Sequence, residues 1–285
     1  MKKKVLLLGY KGMFGSDAIS ILENSGFRVF KADLPDTDIT DLDSLNKTFL
    51  ECNPDIVING SAYTDVDGAE TQRDLAMSVN RDGAFNVAKM CKKFNAFLVH
   101  ISTDYVFNGT KKEGYIESDE IGRAVNFYGE SKLQGELKIR EVLKENEFLI
   151  CRTQWLYGRG RRNFVKFISE VSKAKKEIEV IDDQWGVPTW TKDLAEQMVY
   201  LIKNEYFGVS HTVAGGGPIT WFQLAEDIVK ILKRECKIVP ISSEKLKRPA
   251  KRFKYGFLKN KIIPQEIVRD YKISLELFFK EENLL

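Results

Sequence analysis

A chain of 285 residues has room for one large domain or two unequal ones, but not for three. With 43% hydrophobic and 30% charged residues it falls among ordinary globular proteins, which excludes disordered and fibrous classes. Its 44 basic and 41 acidic residues leave a formal charge of +3, so no global field draws it to nucleic acid or to a membrane surface.

The chain starts with Met1 to Lys4 and the apolar run Val5 to Leu8, which imitates the front of a signal peptide. That run ends at once in Gly9-Tyr10-Lys11-Gly12, and no later stretch reaches membrane-spanning length, so a cytoplasmic protein is expected. Val5 to Leu8 reads instead as a first strand, leading through Gly9-Tyr10-Lys11-Gly12-Met13-Phe14-Gly15 into a helix over Met13 to Asn24. Glycines at that point let the chain turn tightly and bring backbone N–H groups, at a helix N-terminus, against a pyrophosphate. Gly9, Gly12, Met13, Phe14 and Gly15 are therefore candidate dinucleotide ligands, although the spacing is Gly-x-x-Gly-x-x-Gly and an ordinary glycine-rich turn is the plain alternative. A second strand, Phe27 to Lys31, ends near Asp33, where a carboxylate accepts from an adenosine ribose and repels a 2′-phosphate. This tips the cofactor toward NADH, while Lys11 offers a charge for that phosphate and keeps NADPH open; Asp33 as a turn residue before Pro35 is the bland reading.

A helix over Leu42 to Glu51, a strand at Ile56 to Ile58, a helix over Leu75 to Phe94 and a strand at Phe97 to Ile101 continue the alternation. The fourth strand runs into Ser102-Thr103-Asp104-Tyr105, and the next helix, Phe127 to Lys144, opens with Tyr128-Gly129-Glu130-Ser131-Lys132. Tyr128 and Lys132 are four residues apart and share a helix face, as many unrelated Tyr/Lys pairs do. Here an ammonium beside the phenol would ease its ionisation and fit it for acid catalysis, and Thr103 at a strand's carboxyl end would bond the carbonyl being protonated. The joint order of glycine turn, Ser-Thr pair and Tyr/Lys pair points to carbonyl reduction. A strand at Phe148 to Cys151 completes a doubly wound, parallel α/β sheet of Rossmann type.

Beyond Trp155 the pattern loosens into a helix over Asn163 to Ala174, a strand at Ile178 to Ile181, helices over Thr191 to Lys203 and Thr220 to Leu232, and an irregular basic tail. Residues 1–153 are expected to form the dinucleotide-binding domain and 154–285 a smaller α/β substrate-binding domain, part of which returns to the first. Lys245 to Lys261 holds eight Lys or Arg residues and reads as a solvated basic surface rather than a nucleic-acid patch. Cys52, Cys91, Cys151 and Cys236 form no Cys-x-x-Cys pair, and with His100 and His211 as the only histidines no metal site is expected.

Several segments carry a resemblance. Pro54 to Asn59, Ala62 to Asp67, Ala69-Glu70, Ser102 to Gly109, Tyr128-Gly129 with Lys132, Arg152-Thr153-Gln154-Trp155 and Asp183 to Thr189 are similar to the dTDP-4-dehydrorhamnose reductase family of extended short-chain dehydrogenases/reductases. The resemblance implies NAD(P)H-dependent reduction of the C4 ketone of a nucleotide-activated 4-keto-6-deoxyhexose, with Thr103, Tyr128 and Lys132 as the catalytic set. It places Asp38 and Ile39 near adenine, Ser61, Ala62 and Tyr63 along the cofactor together with Tyr128 and Lys132, and Asn80 among the cofactor ligands while supporting the active-site helix. Val66, Asp67, Asp104, Trp155, Asn163, Gln184 and Trp185 are implied around the sugar nucleotide, the basic tail near its diphosphate, and a homodimer is common among such proteins. The chain departs from the family's usual residues at Gly60-Ser61, Gln154 and Gly122-Arg123-Ala124, which bears on sugar identity. An epimerase or dehydratase of the same fold and a cofactor-binding regulatory subunit are the competing readings.

Overall fold

The computed structural model describes residues 2–285, and the alternating pattern folds there into a parallel sheet. Strands β1 (Lys4–Leu8), β2 (Arg28–Ala32), β3 (Ile56–Asn59), β4 (Phe97–Thr103) and β5 (Phe148–Thr153) alternate with helices α1 (Met13–Asn24), α2 (Leu42–Cys52), α3 (Arg73–Met77), α4 (Gly83–Phe94) and α5 (Phe127–Val142). The chain continues through β6 (Leu156–Tyr157), α6 (Phe164–Val171), β7 (Glu177–Ile181), β8 (Trp185–Gly186), β9 (Thr189–Trp190), α7 (Thr191–Lys203) and β10 (Gly208–His211). It closes with β11 (Ile219–Thr220), α8 (Trp221–Ile231), β12 (Lys237–Ile241) and α9 (Tyr271–Glu281). The main sheet has the order β10-β5-β4-β3-β1-β2, so the winding reverses between β1 and β3. Ligands gather in the crevice above such a reversal.

β1 and β3 are apolar throughout because helices cover both faces of the sheet. Successive side chains alternate between two cores. Leu6, Leu8, Val57, Leu98 and Ile150 meet Phe49, Val87 and Ile139 on one face, while Val5, Leu7, Ile58, Val99 and Cys151 meet Ala18, Leu22, Leu194 and Met198 on the other. A third core, including Ile168, Val180, Ile228, Leu275 and Phe278, fills the smaller lobe.

The sequence after residue 153 divides between these layers. β10 pairs in parallel with β5 through Gly208↔Leu149 to His211↔Arg152, and α7 packs beside α1 against the sheet. The smaller lobe holds α6, α8 and α9 and the parallel pair β7–β12. The two-residue strands β6, β8, β9 and β11 were not expected, nor were the longer β10, β12 and α9, the last lying in the stretch read as an irregular tail. The single helix expected over Leu75 to Phe94 starts at Arg73 and is interrupted by a π turn, Ser78–Asp82, which carries Asn80. Such π turns cluster at functional sites.

Candidate active site

A crevice of about 610 Å³ lies along the carboxyl edge of the sheet. Gly9, Gly12, Met13, Phe14 and Gly15 line one end of it. Gly9 sits at φ +79°, and a Cβ there would stand 2.8 Å from the Ser61 nitrogen, so the turn admits only glycine. Gly12 caps α1 without any side-chain hydrogen bond, and no acidic residue occupies the first turn. The first N–H groups of that helix therefore open onto the crevice as a donor set suited to a diphosphate.

The adjoining wall is built from backbone held by side chains. Asp33 accepts from the Lys11 N–H at 3.0 Å and the Leu34 N–H at 2.8 Å, while the Lys11 ammonium donates to the Leu34 carbonyl at 2.6 Å. Both features that argued over the cofactor's 2′ position are thus engaged with their own turn. Asp38 accepts from the Thr40 N–H and hydroxyl, both at 2.8 Å, and Asn86 donates to the Ile39 carbonyl at 3.1 Å. Asp33, Asp38, Ile39, Ser61, Ala62 and Tyr63 all line the crevice.

Asn80, expected among the cofactor ligands, does not reach the crevice. It is buried behind the wall, accepting from the Tyr63 N–H at 2.9 Å and donating to the Tyr63 carbonyl at 3.0 Å and the Ser131 hydroxyl at 2.9 Å. The π turn that carries it thereby fastens the 60–64 loop to the helix bearing Tyr128.

Thr103, Asp104, Tyr128 and Lys132 meet at the centre of the crevice. Asn126 caps α5 by accepting from the Gly129 N–H at 2.8 Å. Gly129 lets that helix start against the 104–106 turn, since a Cβ would lie only 2.2 Å from the Tyr105 carbonyl oxygen. Burial and the Asp104 carboxylate push the Tyr128 phenol up, and contact with the Thr103 hydroxyl acts the other way. The expectation that Lys132 lowers the phenol is not met: its ammonium donates instead to the Ile101 carbonyl at 2.7 Å and faces His100 Nε2 at 3.2 Å. Burial brings Lys132 down to about 8, opposed by the charge of Glu136. Thr103 donates its hydroxyl hydrogen to Asp104 at 2.8 Å, and burial raises that carboxyl to about 7.

The residues assigned to the sugar nucleotide divide. Val66, Asp104 and Trp155 line the crevice, with the Trp155 ring stacked on Trp221 at 3.6 Å. Asp67, outside it, is bound by Arg252 at 2.6 Å and by the Ala250 N–H at 3.1 Å. Asn163 is occupied as the cap of α6, and Gln184 faces a second cleft with Arg248 and Arg252. Trp185 packs beside the smaller lobe's core, and its backbone N–H donates to the Lys254 carbonyl at 2.8 Å. Three features gain their roles only in the folded chain. Thr153 and Gln154 present buried polar atoms without partners in the crevice wall. His100 joins Lys132 to Asn59, whose amide nitrogen lies 3.2 Å from Nδ1. Glu136 pairs with Arg152 at 2.7 Å and accepts from Ser102 at 2.5 Å, all of it buried.

The comparisons agree with this geometry. The family model described as RmlD substrate binding domain matches residues 2–283. A dTDP-4-dehydrorhamnose reductase of Streptomyces griseus is 36% identical over 89% of this chain and 84% of its own. A dTDP-4-keto-6-deoxy-D-glucose reductase of Streptomyces niveus is 34% identical over 86% and 85%. A crystal structure of dTDP-4-dehydrorhamnose reductase from Bacillus anthracis in complex with NADP superposes with a TM-score of 0.93 at 34% identity, covering 99% of this chain and 100% of that one. A glycine turn feeding an open helix end, a Thr/Tyr/Lys cluster at the sheet's edge and matches along nearly the whole length lead to one assignment: this chain belongs to the dTDP-4-dehydrorhamnose reductase family.

Proposed function

We propose that this protein reduces the C4 ketone of a dTDP-activated 4-keto-6-deoxyhexose with NAD(P)H, converting dTDP-4-dehydro-L-rhamnose to dTDP-L-rhamnose. The observation that carries the reading is the convergence of Thr103, Tyr128 and Lys132 on a crevice whose far end is the uncapped start of α1. Residues 1–153 supply most of the dinucleotide site, with Gly9 to Gly15 for the diphosphate and Asp33, Asp38 and Ile39 beside the adenosine. When bound, the cofactor provides the hydride.

The chain's own residues handle the proton. A phenol raised by burial stays protonated at neutral pH, which is the state a general acid requires. Tyr128 donates to the new alkoxide, contact with the Thr103 hydroxyl eases the loss of that proton, and Lys132 is held on the Ile101 carbonyl in the same crevice. Two relatives that reduce differently named dTDP sugars support the substrate class. An NADP complex in a third supports a nicotinamide cofactor without choosing between its two forms for this chain.

The test is purified protein with dTDP-4-dehydro-L-rhamnose and related 4-keto-6-deoxy sugar nucleotides, following NADH and NADPH consumption separately. Stoichiometric consumption with formation of dTDP-L-rhamnose is expected. Turnover without net consumption would identify an epimerase or dehydratase instead.

A further inference from the structure

We propose that Gln154 is a specificity residue: its side-chain amide donates a hydrogen bond to a hydroxyl oxygen of the hexose ring. The inference rests on the proposed ketone reduction and adds to it the group that reads the sugar.

Gln154 lies just past the carboxyl end of β5, beside Thr153, which is the register partner of Thr103 on β4. Neighbouring strands are about 4.8 Å apart, so Gln154 lies close beside the strand end that carries Thr103. Its side chain is 3% exposed, and it lines the crevice. The amide oxygen is committed, accepting from the Leu258 N–H at 2.8 Å. That bond fixes which way the amide points, because the opposite orientation would set NH₂ against N–H. The nitrogen Nε2 is buried and has no partner. A buried amide donor left unpaired is costly, whereas one that pairs with a ligand oxygen rewards ligands that bring that oxygen to it. Thr153 Oγ1, likewise buried and unpaired, adds a second polar contact on the same wall. Trp155 follows at φ +45° with its ring stacked on Trp221, so the wall beside the amide is rigid.

Two variants separate the donor from its support. Gln154→Glu keeps an oxygen for the Leu258 N–H and replaces the donor with an acceptor; Gln154→Met removes both at similar length. Equilibrium binding of dTDP-L-rhamnose and of dTDP alone to the NADPH-loaded enzyme provides a readout independent of turnover, and steady-state kinetics provide KM and kcat. For both variants we expect affinity for dTDP-L-rhamnose to fall at least tenfold while affinity for dTDP and NADPH stays within twofold. KM for the keto-sugar should rise more than kcat falls. Unchanged affinity for the sugar nucleotide in either folded variant, or an equal loss for dTDP alone, overturns the assignment. A wild-type protein that reduces no keto-sugar nucleotide sinks the proposed reaction instead, and is distinguished by its own assay.

Discussion

At the scale of single residues the crevice separates proton donor from electrostatics. Tyr128→Phe removes only the phenolic hydroxyl, so NADPH affinity should hold within about twofold while kcat falls by about two or more orders of magnitude; single-turnover kinetics with a cofactor titration check both. Asp104 gives a pH signature. Burial raises its carboxyl from 3.8 to about 7, so the folded state keeps a proton that the unfolded chain releases. Its contribution to stability is intact below about pH 4 and is lost as pH climbs to about 7. Asp104→Asn abolishes that loss, and thermal melts should show a stabilisation larger at pH 8 than at pH 5. A gain equal at both values would mean that the carboxyl ionises normally in the fold. Thr103, Tyr128 and Lys132 were legible in the sequence because strand end and helix start place them by local spacing alone. Gln154 stood out in the sequence only as a departure from the family's usual residue and His100 not as a site residue, since what makes each informative is a partner, Leu258 or Lys132, that only the tertiary structure supplies.

At the scale of elements, the buried Ser102–Glu136–Arg152 cluster joins the ends of β4 and β5 to the middle of α5, the three elements that present Thr103, Gln154 and Tyr128. Arg152 and Glu136 have side chains 2% and 1% exposed, so removing one partner strands a charge without water. Arg152→Met should cost about 3–5 kcal/mol in urea unfolding, and the double variant Arg152→Met with Glu136→Met should recover most of it. Additive losses would show that the pair is not coupled. The same elements explain what the periodicity revealed. β1 to β5 and the helices between them carry long apolar patterns that survive any context. β10 is only Gly-Val-Ser-His, too short to carry a period, and becomes a strand because the edge of β5 is available to it. α9 does bury Tyr271, Leu275, Phe278 and Phe279 at helical spacing, but it follows a basic, proline-containing stretch that masked the start of the pattern.

At the scale of the whole molecule, the basic stretch 245–261 is more than the solvated surface that its composition predicts. Seven of its eight Lys and Arg residues are exposed to solvent, and the backbone that carries them is a strap joining the smaller lobe to the catalytic edge. Arg252, with an 11% exposed side chain, pairs with Asp67 beyond β3, and the Ala250 N–H donates to the same carboxylate. Asn126, the cap of the helix carrying Tyr128, donates to the Lys251 carbonyl at 2.9 Å, and the Phe253 ring lies 4.8 Å from that of Tyr105. The Leu258 N–H then reaches Gln154. Burial raises the Asp67 carboxyl, but the hydrogen bonds from Arg252 and Ala250 outweigh it and hold the group below its ordinary range. The strap is therefore tied down above the usual carboxylate pKa and loosens as acid protonates Asp67. Asp67→Ala removes the anchor without touching any of the three cores. Trypsin should then cut within 245–261 several-fold faster at neutral pH, with the melting temperature lowered by only a few degrees. Because the strap borders the sugar-nucleotide wall through Gln154, dTDP-L-rhamnose should slow that cleavage in the wild type more than in the variant. Equal cleavage rates in the two proteins would mean that the cap and aromatic contacts hold the strap alone, with Asp67 a bystander.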